Sequence, residues 1–169
     1  SDCEDRIMFM WDVDLGKSIH NFTTFLDYHS VAWSPDGNLI AYALSDYSVR
    51  LCDAKAVNYP EIMELKGQPL WIHSIDWNPQ STMLASGGNS GDIMIWDTTS
   101  ALVKTLVGSG SVIRKVRWSK DGENLASVDE SGNLVIWNFQ SGEATRTIKA
   151  HDGEAPCLAW SPEDSRIAT

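Results

Sequence analysis

The chain has 169 residues, with 13 Lys and Arg against 23 Asp and Glu, and therefore a formal net charge of −10. This acidic balance excludes a protein that grips the nucleic-acid backbone, because such proteins need a basic surface. Hydrophobic residues make up 43% of the chain, too many for a disordered segment. No apolar run approaches the roughly 18 residues of a membrane-spanning helix. The composition predicts a folded chain that binds neither nucleic acid nor a membrane directly.

The cysteines and the first residues point to a compartment. Cys3, Cys52 and Cys157 are an odd number, widely spaced and without a CxxC pair, which fits neither a disulfide framework nor a zinc site. Residues 1–5 are acidic, whereas a signal peptide opens with positive charge and an apolar run. We therefore expect an intracellular chain, cytoplasmic or nuclear, with no metal and no cofactor.

Tryptophan recurs at a nearly fixed interval along the chain. One series has gaps of 44, 41 and 42 residues, and each member opens a turn: Trp33, Trp77, Trp118 and Trp160. A second series has gaps of 41, 44 and 41 residues and closes apolar runs: Trp11, Cys52, Trp96 and Trp137. Short runs such as Leu84-Ala85-Ser86 and Leu125-Ala126-Ser127 lie between the two series. Three features in phase over four periods predict a structural repeat.

Each period contains four short apolar or alternating runs separated by turns. In the third period these predicted strands cover residues 113–118, 124–128, 134–137 and 144–148. No stretch keeps the 3.6-residue periodicity of a helix. The runs 7–11 and 93–96 are apolar on both faces, so both faces of these strands must be covered. We predict an all-β chain, a β-propeller in which four-stranded antiparallel blades stack face to face around an axis.

The predicted blades follow one another in chain order, about four repeats in all. Residues 1–23 supply the third and fourth strands of a first blade, and residues 150–169 the first and second strands of a last one. Between them we expect three complete blades, at residues 24–66, 67–107 and 108–149. The recurring indoles are expected in the core: Trp33, Trp77, Trp96, Trp118, Trp137 and Trp160.

These motifs resemble those of the Trp-Asp (WD) repeat β-propellers over nearly the whole chain: Trp-Ser-Pro-Asp-Gly at 33–37, Leu-Ala-Ser at 84–86 and a closing Trp-Asp at 96–97. In that family each blade often carries a hydrogen-bonded tetrad of His, Ser or Thr, Asp and Trp. The resemblance implies that the three complete blades depart from this structural tetrad. A full set occurs only across the two ends of the chain, as His151, Thr169, Asp5 and Trp11.

The two end segments are in phase with each other, and this allows two explanations. In one, a homodimer completes the split blade, each copy donating strands to the other to give eight blades. In the other, the chain is a fragment of a longer propeller, and the sequence favours this reading. Either way, unpaired strand edges are exposed, which is an aggregation liability.

Candidate partner-binding residues fall near one mouth of the central channel, which the first strand of each blade lines in the WD-repeat family. His29, His73 and Arg114 hold equivalent places, four residues before a tryptophan of the first series. Two imidazoles and a guanidinium can grip an acidic group or a backbone carbonyl. The alternative is that all three are solvated channel residues.

Trp71 belongs to neither tryptophan series and follows Leu70 in a loop. A large amphipathic ring there is a candidate interface anchor, because Trp is enriched among binding hot spots. The alternative is that the ring folds onto a neighbouring blade. Tyr47, in a turn beside Asp46, is a further candidate on the same rim.

The sequence contains no GxSxG, HExxH or phosphate-binding loop. We predict a non-catalytic scaffold or adaptor that presents its loop rims and channel mouth to a protein or peptide, as part of a larger complex or longer protein. The negative charge favours a basic partner. The alternative is a hydrolase-like enzyme with a site at the channel mouth, where His29, His73 and Asp76 lie without a convincing nucleophile.

Overall fold

The computed structural model describes residues 6–99, 101–163 and 166–169. These residues form sixteen strands and no helix. In chain order the strands are β1 (Ile7–Asp12), β2 (Lys17–Thr23), β3 (Tyr28–Trp33), β4 (Leu39–Leu44), β5 (Val49–Asp53), β6 (Glu61–Leu65), β7 (Ile72–Trp77), β8 (Met83–Gly88), β9 (Ile93–Asp97), β10 (Leu102–Leu106), β11 (Ile113–Trp118), β12 (Asn124–Asp129), β13 (Asn133–Asn138), β14 (Ala144–Lys149), β15 (Ala159–Trp160) and β16 (Ile167–Ala168).

Consecutive strands pair with one another and build small antiparallel sheets. Three sheets have four strands each, β3–β6, β7–β10 and β11–β14, while β1–β2 and β15–β16 form two-stranded sheets. The prediction of an all-β propeller made of four-stranded antiparallel blades is confirmed. Within the described residues, no helix is long and apolar enough to cross a membrane.

The strand register repeats from blade to blade. In every complete blade, the member of the second tryptophan series lies on the third strand, opposite an aliphatic residue of the second strand. The pairs are Cys52 opposite Ile40, Trp96 opposite Leu84 and Trp137 opposite Leu125. A register shift between the third and fourth strands follows at this point in each blade. The β1–β2 pair shows the same shift, between Met10 and Trp11. Equal spacing in the sequence has therefore produced equal register.

The core lies between neighbouring sheets, and polar contacts reinforce it along the first strands. Trp77 packs among buried aliphatic residues of its own blade and of the preceding one, and its indole Nε1 donates to the carbonyl of Ala32 at 3.3 Å. The indole of Trp160 likewise donates to the carbonyl of Arg117 at 3.2 Å. These two rings pack between sheets with their N–H groups satisfied. The Nε1 atom of Trp118, in the blade between them, is buried without a hydrogen-bond partner among the described residues.

One prediction about the core is wrong. Trp77, Trp96, Trp118 and Trp137 are buried as expected and Trp160 is partly buried, but Trp33 is 52% exposed. The cause is the neighbouring two-stranded sheet, β1–β2. Its side chains pack against β4 and β5 and do not cover the part of β3 that carries Trp33. Trp11 on β1 is 61% exposed for the same reason: its strand is covered on one face only.

Candidate interaction site on the upper rim

Because strand directions alternate, the connections fall on two rims. We name as the upper rim the loops between sheets, 24–27, 66–71, 107–112 and 150–158, together with the turns 45–48, 89–92 and 130–132. The lower rim contains the turns between first and second strands, 34–38, 78–82 and 119–123. All the predicted partner-binding residues lie at the upper rim: His29, Tyr47, Leu70, Trp71, His73 and Arg114.

The lower rim is occupied by contacts between successive blades. Each turn between a first and a second strand donates a hydrogen bond to the corresponding turn of the next blade. These hydrogen bonds run from Asp36 N to Ser81 Oγ (3.0 Å), from Gln80 Nε2 to Asp121 O (3.3 Å) and from Lys120 Nζ to Pro162 O (2.9 Å). Their polar groups hold the blades together and are not free for a partner.

Trp71 lies on the preceding blade without being buried by it. Its ring stacks on the imidazole of His29, with centroids 5.6 Å apart and an interplanar angle of 27°. The residue nevertheless stays 47% exposed, and the adjacent Leu70 is 45% exposed. The Nε2 atom of His29 is buried and has no hydrogen-bond partner among the described residues. Both readings of Trp71 therefore apply: the ring contacts its neighbour on one face and offers the other to solvent.

His73 is held by the turn that follows β8. Its Nε2 atom lies 2.5 Å from Oδ1 of Asn89. Because an amide oxygen only accepts hydrogen bonds, Nε2 carries the proton in this arrangement. The imidazole thus fastens the start of β7 to the rim turn, and its Nδ1 is the remaining polar atom.

Arg114 lies between two glutamates. Its Nη2 donates to Glu130 Oε1 at 3.1 Å, and its Nε lies 2.9 Å from Glu154 Oε1 at an angle that gives an ion pair rather than a hydrogen bond. Each glutamate side chain is about half exposed. Here the rim carries one positive and two negative charges, so an acidic partner group at Arg114 has to displace a carboxylate.

A second acidic cluster, centred on Arg50, was missed by the sequence reasoning. Arg50 contacts carboxylates of Asp46 at 3.2 Å, Glu61 at 3.2 Å and Glu64 at 3.4 Å. Tyr47, in the turn beside Asp46, has a φ of 67° and is 37% exposed. The signal in the sequence was Arg50 itself, which stands where the equivalent third-strand positions hold Met94 and Val135.

Asp76, a candidate for catalysis in the enzyme alternative, instead ties two blades together. Its Oδ2 accepts a hydrogen bond from the backbone N–H of Trp118 at 2.7 Å, and its Oδ1 lies 3.8 Å from Arg117 Nη1. Burial raises the pKa of Asp76 to about 6, against the lowering effect of these two contacts. Among the described residues, no three His, Cys, Asp or Glu side chains gather as a metal ion requires.

Family models match the repeats directly. The model described as WD domain, G-beta repeat matches residues 16–53 and 60–97. The model described as anaphase-promoting complex subunit 4 WD40 domain matches residues 103–163. Together these matches extend over most of the chain. The chain belongs to the WD-repeat family.

Curated relatives of this WD-repeat chain match it at modest identity. The nuclear distribution protein PAC1 of Coccidioides posadasii is 28% identical over an alignment that covers 94% of the chain and 38% of the relative. The small ribosomal subunit protein RACK1y of Oryza sativa subsp. japonica is 29% identical over 98 residues, 55% of the chain and 29% of the relative. The chain spans less than half the length of these relatives.

A solved structure shares the architecture. A chain in the crystal structure of a mitotic checkpoint complex superposes with a TM-score of 0.84 at 26% identity. The superposition covers 95% of the WD-repeat chain and 51% of the matched chain. The blades described above therefore correspond to about half of that chain.

The structural tetrad of the family is retained in part. In two complete blades the tryptophan indole donates to the second-strand serine, from Trp96 to Ser86 at 3.0 Å and from Trp137 to Ser127 at 2.9 Å. In blade 24–66 the large and small residues have exchanged strands, since Tyr42 and Cys52 hold the serine and tryptophan places. The Tyr42 hydroxyl donates to Glu61 at 3.2 Å, which links this blade to the Arg50 cluster instead.

The tetrad expected across the chain ends is divided in the structure. His151 Nε2 lies 2.8 Å from Thr169 Oγ1, so two members are in contact at one end. Trp11 belongs to the separate β1–β2 sheet, where its ring contacts Phe9 with centroids 6.3 Å apart. Asp5 lies outside the described residues. A single chain does not bring Trp11 to the His151–Thr169 pair.

Proposed function

We propose that this WD-repeat chain is a non-catalytic interaction scaffold whose upper rim binds a protein or peptide segment. The observation that carries the proposal is that Trp71 is half exposed beside Leu70 while its ring stacks on the imidazole of His29. A ring already held in place loses little conformational freedom on binding, which favours its use as an anchor. Aromatic anchors beside aliphatic side chains are typical of binding hot spots.

The charges on the same rim indicate the chemistry of the partner. Glu130 and Glu154 outnumber Arg114 at the rim. On the adjoining strands β5 and β6 and the turn before them, the three carboxylates around Arg50 outnumber the two cations beside them, Arg50 and Lys66. The whole chain adds a net charge of −10. A segment with an apolar residue flanked by Lys or Arg matches this surface, and the long-range field accelerates its association.

The relatives support a role inside larger assemblies. The matched solved chain comes from a mitotic checkpoint complex, and one curated relative is the histone acetyltransferase type B subunit 2 of Candida glabrata. Another is named a small ribosomal subunit protein. By analogy with these proteins, we place the chain inside the cell, as part of a larger complex.

Affinity capture with rim variants tests the proposal. The 169-residue chain, coupled to a matrix, captures partners from a lysate, and the bound proteins are quantified for Trp71→Ala, Leu70→Ala and Leu102→Ala. Leu102 is a matched control, because it is 46% exposed but lies on β10 away from the upper rim. We expect Trp71→Ala to weaken retention by about 30-fold or more and Leu102→Ala to leave it unchanged. Equal retention by all three variants refutes the rim assignment.

Arg114→Ala separates a basic partner from an acidic one. The substitution leaves Glu130 and Glu154 without their cation, so a basic partner binds at least as well as before. An acidic partner gripped by the guanidinium loses its contact instead. Retention that falls with Arg114→Ala, or that survives about 1 M salt undiminished, contradicts the basic partner.

A further inference from the structure

The space between β2 and blade 24–66 lacks the tryptophan that fills its counterpart in the next blade. In blade 67–107, the third-strand Trp96 is 2% exposed and packs against buried residues of the preceding blade. Blade 24–66 has Cys52 at the same place, opposite Ile40. A thiol is far smaller than an indole, and a pocket of about 350 Å³ lies beside it. The walls of this pocket all come from residues 20–61, so it does not depend on either end of the chain.

Aromatic side chains line this pocket where the repeat elsewhere carries aliphatic or small residues. Phe22 stands opposite Met8 as Leu65 stands opposite Val49 in the following blade. The rings that line the pocket are His20, Phe22, Tyr28, Tyr42 and Tyr59. Neighbouring rings have centroids 4.6 to 6.2 Å apart and are tilted by 51° to 75° to each other. Tilted rings enclose a rounded space and do not form a slot for a flat ligand.

The turn between β5 and β6 supplies one of these rings at a cost in backbone conformation. It contains residues 54–60 and is longer than the corresponding turns 13–16, 98–101 and 139–143. Asn58 and Tyr59 have φ values of 65° and 47°, a region that residues other than glycine rarely adopt. The Tyr59 ring contacts both His20 and Phe22. The turn thus keeps a strained conformation that places an additional aromatic ring at the pocket.

The charged groups around the pocket are mainly negative. Glu61 lines it beside Tyr42, whose hydroxyl donates to Glu61 Oε2 at 3.2 Å. Arg50 lines it as well, but its guanidinium is already paired with the three carboxylates described above. Together with Lys66, two cations stand against three anions, so the surroundings carry a net negative charge.

We propose that this pocket binds a quaternary ammonium group, such as the head of a trimethylated lysine side chain. Aromatic rings attract such a cation through their negative faces, and the neighbouring carboxylate adds to the attraction. A nitrogen with no N–H leaves no donor unsatisfied when it is buried among rings. The volume lies within the range of about 300–1,000 Å³ that is typical of ligand pockets. Trp71 does not line this pocket, so binding here is independent of binding at the upper rim.

An NMR titration of the full chain with the amide of trimethylated lysine tests the chemistry. We expect amide shifts concentrated at residues 20–24 and 58–61, with a dissociation constant of about 1 mM or lower. The neutral analogue, with carbon in place of the ammonium nitrogen, has the same shape and should bind at least about 10-fold more weakly. Choline, titrated in parallel, distinguishes a free small molecule from a lysine side chain as the better ligand. Equal affinity for the charged and neutral probes, or no shifts at these residues, overturns the proposal.

Substitutions taken from the other blades test the location while preserving the repeat. Phe22→Leu introduces the residue of the equivalent fourth-strand position and should weaken binding of the lysine probe about 10-fold. The double variant Tyr42→Ser, Cys52→Trp restores the serine and tryptophan of the other complete blades and should abolish binding, because the indole fills the pocket. Phe25→Leu, at an exposed ring outside the pocket, is the control and should leave the affinity unchanged. Unchanged affinity in Phe22→Leu or in the double variant refutes this location.

Discussion

Asp76 gives the molecule a pH dependence that a single substitution should remove. Its carboxylate is largely buried between β7 and β11, accepts a hydrogen bond from Trp118 and has a pKa of about 6 in place of an ordinary value of 3.8. In the unfolded chain the same group ionises near the ordinary value. The folded state therefore holds the proton more tightly than the unfolded state, and Asp76 favours folding more as the pH falls.

The size of the effect follows from the shift. About two pKa units correspond to about 3 kcal/mol, since each unit is worth about 1.4 kcal/mol. Below about pH 4 the carboxyl is protonated in both states and nothing is lost. As the pH rises through about 6, the ionised carboxylate lowers the free energy of unfolding by up to that amount. Asp76→Asn keeps an oxygen for the Trp118 N–H but cannot ionise, so the variant escapes this loss.

Urea unfolding of the wild type and Asp76→Asn between about pH 4 and pH 8 measures the difference. We expect the stability of the variant relative to the wild type to increase by about 3 kcal/mol across this range. Asp97→Asn is a control, because hydrogen bonds from Thr99 lower the pKa of Asp97 and its titration therefore lies below this pH range. The stability of this variant relative to the wild type should stay nearly constant between about pH 4 and pH 8. A constant difference between the wild type and Asp76→Asn refutes the reasoning.

Three further substitutions have defined outcomes. Trp96→Phe removes the indole N–H that donates to Ser86 and should lower the free energy of unfolding, measured by thermal unfolding, by about 2 kcal/mol. A double-mutant cycle with Ser86→Ala should give a coupling energy of about 1 kcal/mol, and a value near zero contradicts the hydrogen bond. Gly132→Ala should lower the free energy of unfolding by more than about 3 kcal/mol, because its φ is positive and the new Cβ clashes with a backbone carbonyl. Gly16→Ala has a positive φ but open space around the new Cβ, so it should cost only about 1 kcal/mol, and equal losses refute the clash. Arg50→Met removes the cation shared by three carboxylates and should cost about 2 kcal/mol at low salt and less in about 1 M salt, which screens the charges. Urea unfolding at both salt concentrations checks this, and an equal loss at both opposes it.

The fold was predictable because the repeat encodes the same local environment several times. Trp77, Trp96, Trp118 and Trp137 recur in phase, and each is buried between two sheets. The exposed Trp33 shows the limit of this reasoning. A position in the repeat tells which face a side chain uses, but the presence of a neighbour that covers this face is a property of the assembled sheets.

The residues of the candidate site could likewise be identified from their positions in the sequence, whereas their contacts could not. Trp71 was identifiable because it falls outside both tryptophan series, whereas its stacking on His29 depends on the distance between two blades. The Arg114 ion pairs join a strand to a turn and to a loop, so spacing alone did not show them. The Arg50 cluster was missed because its carboxylates come from a turn and from the neighbouring fourth strand, and the spacing of the repeat does not show that these groups meet Arg50.

The indole-to-carbonyl bonds between first strands have a consequence for how the molecule opens. Trp77 and Trp160 join their sheets to the sheet before through their indoles, and Trp118 does so through its backbone N–H to Asp76. We therefore expect local fluctuations to begin at β1–β2 and β15–β16 and to spread inward one sheet at a time. Amide hydrogens of β7–β12, sheltered on two sides, then exchange with deuterium most slowly, and protection declines toward both termini. We therefore expect the outermost sheets to open first and the central sheets to be the most stable part of the chain.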